Sequence, residues 1–302
     1  MTLLRVPFLK SRFLFPLLAT VLVISWSSGF VGIRFATEDA PVVLVLLWRN
    51  LAAAIILLPF ALSIGPRITR EALVHQMLFG LVGMFFYLAS FALAISYHVP
   101  TGLVALISDL VPLAIAALSQ PLLGLALTKR QWIGTAFGIL GVVIVSADSV
   151  SLGHAPFFAY ILPVIGMVMF AGLTVIQKRL KSVHMPIHQS LAIQCLTAAI
   201  AFAIVRAFDG GLMPPRSLHF AFGIMWLVLI ATFLCYSVYY YLLRHHAPAL
   251  VSSAVYLSPP VTMLWAWAMF NEPLTLAMLI GLGVTFFGVY LVTAAKLPLA
   301  VA

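Results

Sequence analysis

Apolar runs of about twenty residues recur ten times along this chain, each bounded by a short turn rich in polar residues, glycine or proline. As a helix, a run of that length crosses a hydrocarbon core of about 30 Å. The runs lack the alternating ten-residue pattern of a membrane barrel. The spans are Phe13 to Ala36, Val42 to Ile64, Leu73 to Ser96, Thr101 to Leu123, Gln131 to Ala147, Phe157 to Gln177, Ile187 to Val205, Leu218 to Leu243, Ala249 to Phe270 and Leu274 to Ala295. The expected fold is all-α, a polytopic membrane protein of ten transmembrane helices.

The punctuation between these runs repeats. An offset of 148 sets Pro100 on Pro248 and Pro112 on Pro260, and an offset of 147 then sets Leu127-Thr128 on Leu274-Thr275, Gly134 on Gly281 and Gly141 on Gly288. Upstream, Trp26 matches Phe170, Pro41 matches Pro186 and Phe85 matches Phe233. This is an internal duplication of a five-helix unit. The expected organisation is a tail (1–12), a first repeat (13–147), a linker (148–156), a second repeat (157–295) and a second tail (296–302). Five is odd, so the two copies must cross the membrane in opposite directions.

Composition agrees, with 64% hydrophobic and 8% charged residues and a mean hydropathy of +1.17. The net charge of +9 would raise the question of nucleic acid, but its placement answers it. With the amino terminus inside, Arg5, Lys10, Arg12, Arg67, Arg70, Lys129, Arg130, Lys178, Arg179, Lys181, Arg244 and Lys296 fall on the inner side, against Arg206 and Arg216 outside. That asymmetry is a positive-inside signal, with both termini cytoplasmic. The repeats carry it too: Lys129-Arg130 become Leu276-Ala277, and Ser96-Tyr97-His98 become Arg244-His245-His246. Cys195 and Cys235 lie inside predicted helices and read as small apolar filler.

Two charges lie deep. Arg49 is eight residues, about 12 Å, from Pro41, and Asp109 is nine residues, about 13.5 Å, from Pro100. They share a depth, which leaves two readings open: a structural ion pair between helices two and four, or a titratable group at Asp109, poised by Arg49, that couples protons to transport. Arg34 sits near a helix end, where it can snorkel or meet Glu38. Prolines inside helices four and nine, Pro112 and Pro259-Pro260, remove backbone donors and must bend or open those helices. The glycines of helices five and ten form small faces for close packing, within the chain or between protomers. His184 and His188 have metal-like spacing, but Pro186 interrupts the helix and no third ligand is near.

Inverted repeats with matching broken helices are a recurrent architecture of secondary transporters, in which two arrangements of one packing open a central site to either side. A cavity is expected between helices one, three and four of one half and six, eight and nine of the other. Trp26, Ser27, Tyr87, Ser90, Phe170, Tyr236 and Tyr256 are its candidate lining residues. A small, partly apolar substrate follows: an amino acid or related metabolite, a cation or a drug. No nucleophile with a base in register is visible, so no catalytic residues, cofactor or metal are expected.

Trp26-Ser27-Ser28-Gly29-Phe30, Pro41 with Arg49, Pro112, the helix-five glycines, Pro260, Asn271-Glu272-Pro273-Leu274-Thr275, Gly281 and Gly288 together resemble the drug/metabolite transporter superfamily of the ten-helix EamA type. The resemblance implies a proton-coupled or exchanging exporter of amino acids or other metabolites in the bacterial inner membrane. The glycine faces leave a monomer or homodimer open. It also implies that Arg49 and Glu272 occupy the family's usual charged positions. Gly124-Leu125-Ala126 stands where an acidic counterpart of Glu272 would be, which favours a helix-end role for Glu272. Asp109 lies outside the resemblance. The competing readings are a nucleotide-sugar or lipid-precursor carrier, which needs more cavity cations than Arg49, and a non-transporting receptor or assembly protein.

Overall fold

The computed structural model describes residues 14–124, 128–151, 155–179, 185–246 and 248–293. These are helices joined by short connections, with no strand among the described residues. In chain order they are α1 (Leu14–Ala36), α2 (Val42–Ser63), α3 (Arg70–Ser96), α4 (α4a Thr101–Ser108, α4b Val111–Leu123), α5 (Lys129–Ser151), α6 (Phe157–Arg179), α7 (Ile187–Asp209), α8 (Leu218–His245), α9 (α9a Pro248–Val255, α9b Ser258–Phe270) and α10 (Leu276–Thr293). Among the described residues, eight helices are long and apolar enough to cross a membrane, and Leu276–Val292 is a shorter apolar helix. Arg5, Lys10, Arg12, Lys181, His184 and Lys296 of the sequence argument lie outside the described residues.

Several helices outrun their apolar spans because local hydrogen bonding, not hydropathy, ends them. The Thr69 hydroxyl accepts from the Ala72 amide at 3.2 Å and starts α3 at Arg70, three residues before the apolar run. At its far end α5 continues through Asp148 to Ser151, so much of the expected linker is helix.

The halves break at matching places. In α3 the residues Gly80–Phe86 are π-helical, and in α8 the residues Leu229–Leu234 are; the offset of 148 superposes these stretches to within a residue. Helix α4 opens at Asp109-Leu110 and α9 at Tyr256-Leu257. Pro112 lacks the amide that would bond Ser108, and Pro259 and Pro260 lack those that would bond Val255 and Tyr256. Each proline then falls in the first turn of the following segment, where no intrahelical donor is required.

The repeats interlock. Helix α1 packs on α8 and α9, α6 packs on α3 and α4, α2 pairs with α7, and α5 pairs with α10. The duplicated glycines explain the last pair. A Cβ at Gly134 would stand 2.6 Å from the Gly288 carbonyl oxygen, and one at Gly288 2.5 Å from that of Gly134. At the other end of the contact, a Cβ at Gly141 would lie 2.4 Å from the Gly281 oxygen and one at Gly281 2.7 Å from that of Gly141. Numbering thus runs oppositely along the two helices, so α5 and α10 are antiparallel and related by the repeat. The glycine faces are used inside the chain. Outward, residues such as Leu62, Phe157 and Leu276 are exposed, as a lipid-facing surface requires.

One end of the bundle carries Arg67, Arg70, Lys129, Arg130 and Arg244, and the other carries Glu38, Asp39, Asp148 and Glu272. They are called the basic and acidic faces below.

Candidate functional site

Trp26, Gly29, Phe30 and Ile33 follow the i, i+3, i+4, i+7 spacing of one helical face, and all four line a central cavity of about 90 Å³. Its other walls are Arg49 from α2, Tyr87, Leu88 and Phe91 from α3, Ser108 at the break in α4, and Ala231, Cys235 and Tyr236 from α8. The aromatic residues are braced from behind. Tyr87 lies 4.3 Å from the Phe91 ring and 4.8 Å from Phe170, and its hydroxyl is 2.8 Å from Ser108 Oγ. Trp26 leans on Tyr239 at 5.7 Å, and Tyr236 stacks on Tyr240 at 6.3 Å.

Arg49 is buried, and its guanidinium makes one long hydrogen bond among the described residues, Nη2 to Thr232 Oγ1 at 3.4 Å. Thr232 lies in the π-helical stretch of α8 and donates to the Leu227 carbonyl five residues back at 2.9 Å. Among the described residues, no carboxylate comes within 4.0 Å of Arg49. The guanidinium therefore brings most of its five donors to the cavity without a protein anion.

Asp109 does not pair with it. Asp109 ends α4a and is buried, and its Oδ2 has no hydrogen-bond partner. Its electrostatic neighbours are Tyr87 and Tyr256. Equal depth did not bring the two charges together, because the break in α4 turns Ser108, not Asp109, toward the cavity while Arg49 reaches across to α8.

The remaining expected lining residues stand outside the cavity wall. Ser27 donates to the Ser258 carbonyl at 3.1 Å, tying α1 to the start of α9b. Ser90 donates to the Tyr87 carbonyl at 2.8 Å and presses against Gly166, where a Cβ would meet its hydroxyl. Phe170 backs Tyr87, and Tyr256 is half-buried beside the break in α9. Pro112, Pro259 and Pro260 sit at the breaks themselves. Among the described residues, helices six and nine thus give no lining residue, and helix two gives Arg49. The missed residues had readable signals: the stripe continuing from Trp26, the neighbours of Tyr87 on α3, and Ser108 beside Asp109.

A family model described as the EamA-like transporter family matches residues 14–147 and 157–294. The chain belongs to that family. This EamA-like chain is 30% identical over 295 residues to the "uncharacterized inner membrane transporter YedA" of Escherichia coli K12, covering 95% of this chain and 94% of that one. It is 27% identical to "Protein PecM" of Dickeya dadantii, over 87% of this chain and 86% of the relative. A "probable amino-acid metabolite efflux pump" of Escherichia coli K12 is 24% identical, over 91% and 93%. A solved crystal structure at 19% identity shares the fold, with a TM-score of 0.63 over 96% of this chain and all (100%) of that one. The protein is thus an inner-membrane transporter of the drug/metabolite superfamily.

The EamA-like fold also holds a larger cavity, about 340 Å³, at the acidic face, lined by Arg34, His98, Pro100, Phe270, Asn271, Glu272 and Pro273. Glu272 accepts from the Thr101 amide at 2.7 Å and from its hydroxyl at 2.5 Å. A carboxylate of the second repeat therefore caps α4a of the first. Burial raises its pKa above the ordinary carboxylate value, against the opposing pull of the Thr101 hydrogen bonds and Arg34. Arg34 does not meet Glu38; its guanidinium lies 5.6 Å from the Phe270 ring centroid. Glu38 and Asp39 lie instead 3.6 and 3.4 Å from His219, with Ser217 bonded to Asp39.

Proposed function

We propose that this protein is a secondary active exporter of small carboxylate-bearing metabolites such as amino acids, with the central cavity as its substrate site. The observation that carries the reading is Arg49, a guanidinium deep in the bundle that meets an aromatic cavity and no protein carboxylate. A buried cation in that position calls for a mobile anion, and a carboxylate matches the guanidinium fork. Trp26, Tyr87 and Tyr236 supply apolar surface for the remainder of the ligand. A relative bears the name of an amino-acid metabolite efflux pump, which points the same way. Among the described residues, Arg49 is the one cation in the lining, which disfavours nucleotide sugars.

The cavity of about 90 Å³ is smaller than the roughly 300–1,000 Å³ of ligand-holding pockets, so the reading requires it to widen around its ligand. In alternating access the two repeats exchange conformations, and the paired breaks in α4 and α9 with the π-helical stretches of α3 and α8 are its hinges. The repeats, residues 13–147 and 157–295, are the units that exchange, and the basic face is cytoplasmic. Asp109, buried with an oxygen unsatisfied beside the α4 hinge, carries the coupled proton.

Counterflow in proteoliposomes tests this, with phenylalanine, threonine and a quaternary ammonium loaded separately, at two pH values, in wild type and Asp109→Asn. An amino acid should exchange in both proteins, while pH-gradient drive is lost in the variant. Flux of the quaternary ammonium alone would overturn the carboxylate reading, and unchanged drive in Asp109→Asn would overturn the proton role.

A further inference from the structure

The cavity at the acidic face shares no lining residue with the central one, yet both are anchored on α1, where Ile33 faces one and Arg34 the other. Its volume of about 340 Å³ falls within the range of small-molecule pockets, roughly 300–1,000 Å³. Two oppositely charged groups line it. The Arg34 side chain makes no hydrogen bond or ion pair within 4.0 Å among the described residues; it lies near the Phe270 ring, and its charge is felt by Glu272 across the cavity. Each Glu272 oxygen accepts one hydrogen bond from Thr101, which leaves each oxygen a second lone pair.

The walls are preset. His98 (φ 67°) and Asn271 (φ 54°) hold the two rim turns in the left-handed region, and proline follows within two residues of each, at Pro100 and Pro273. A cavity built on such turns costs little ordering when it is filled. Pro100, Phe270 and Pro273 add apolar surface beside the charges.

We propose that this cavity is a second ligand site, taking zwitterionic amino-carboxylates with the carboxylate on Arg34 and the ammonium directed to Glu272. The guanidinium offers a bidentate carboxylate contact, and the ring beneath it keeps it in place. A single-charge analogue leaves one of the two groups unmatched and binds more weakly. The site needs no movement of the central cavity, so it stands or falls apart from the reading of that cavity.

The test is protection from labelling. Both native cysteines, Cys195 and Cys235, are buried, so Leu274→Cys, at an exposed residue next to the rim and outside the lining, introduces a thiol that a membrane-impermeant maleimide reaches selectively. The full chain in nanodiscs is labelled with and without an equimolar mixture of the proteinogenic amino acids other than cysteine, whose thiol would consume the maleimide. A ligand that covers the site slows labelling by 1 + [L]/Kd, about tenfold at roughly ten times Kd. Protection should persist when Arg49→Gln is added, vanish with Arg34→Gln and return in part with Arg34→Lys, which also shows that the loss is not misfolding. Hydrocinnamate and phenethylamine, each with one charge, should protect less than phenylalanine. No slowing by the mixture overturns the proposal, as does equal slowing in Arg34→Gln. Slowing that disappears with Arg49→Gln also overturns it, by assigning the effect to the central cavity.

Discussion

Counting eight residues in from the proline that opens the second helix of each half gives Arg49 in one half and Gln194 in the other. Arg49 lines the central cavity, whereas Gln194 bonds Gln76 at 2.7 Å and lines neither cavity. The same contrast holds at the breaks, where Asp109 in α4 is matched by Leu257 at the offset of 148. It recurs at the turns after the broken helices. Gly124 (φ 71°) and Asn271 (φ 54°) are equivalent left-handed caps, but a glutamate follows Asn271 and a leucine follows Gly124. The duplicated backbone supplies the hinges and the packing, and the charges that make sites have diverged.

The strongest way to break this contrast is to make the halves alike. Arg49→Gln installs the residue of the second half and removes the cavity's cation. Truncating one partner of a desolvated charge pair costs about 2–5 kcal/mol, so amino-acid counterflow per reconstituted molecule should fall at least about thirtyfold. Arg49→Lys should fall between the two, since an ammonium keeps the charge without the fork. Counterflow within about twofold of wild type in Arg49→Gln would remove the argument for a carboxylate in the cavity.

The shared frame can be broken where the repeats touch. Gly288→Ala puts a Cβ 2.5 Å from the Gly134 carbonyl oxygen, and neither backbone can yield without separating α5 from α10. Overpacking of this kind costs about 1–3 kcal/mol, read as a lower thermal midpoint in detergent. Gly134→Ala should cost as much, and the double variant less than the sum, because both remove one contact. Gly283→Ala on the same helix is the control, since a Cβ there meets nothing within 4 Å.

The sequence pattern revealed this frame and only part of the site. Run lengths and recurring prolines located the helices and the breaks, because burying a backbone in lipid leaves few ways to satisfy it. Unusual residues at depth marked Trp26, Arg49, Tyr87 and Tyr236, all of which line the cavity. Depth, however, is one coordinate, and which way a side chain faces is another. Each residue advances an ideal helix by about 100°, and breaks and π-helical turns shift that phase. Hence Asp109 and Arg49 share a level without pairing, and Phe170, the repeat mate of Trp26, supports Tyr87 from behind. The contact between Glu272 and Thr101 spans the two repeats, and neighbouring sequence carries no sign of it.

Glu272 sharpens the comparison by pH. Burial raises its pKa, so the folded state holds the proton more tightly than the unfolded chain does. Stability from this group is then fully present below its ordinary carboxylate value and is lost as pH rises through the raised one. Glu272→Gln, which cannot ionise, should flatten that part of the stability–pH curve. It should also cost about 0.5–2 kcal/mol at low pH, as a weaker cap on α4a. A wild-type curve that rises with pH across this interval and loses the rise in Glu272→Gln would contradict the sign.

The smallest expected effect separates the two copies of one cap. Thr128 and Thr275 occupy equivalent positions before α5 and α10, and the hydroxyl of each accepts from the amide three residues on, Gln131 at 3.3 Å and Met278 at 3.2 Å. Thr128 completes its cap locally, since its amide donates to Gln131 Oε1 at 2.9 Å. Thr275 completes its cap across the repeats, donating its hydroxyl to Asp148 Oδ2 at 2.6 Å. Alanine at either position should cost about 0.5–1 kcal/mol for the lost N-cap. Thr275→Ala should cost more, because it also removes a hydrogen bond to the Asp148 side chain. Asp148→Asn should narrow that gap without altering the effect of Thr128→Ala. Equal thermal shifts for the two alanine variants would mean that the bond to Asp148 adds nothing, and that these caps, unlike the cavities, have stayed equivalent.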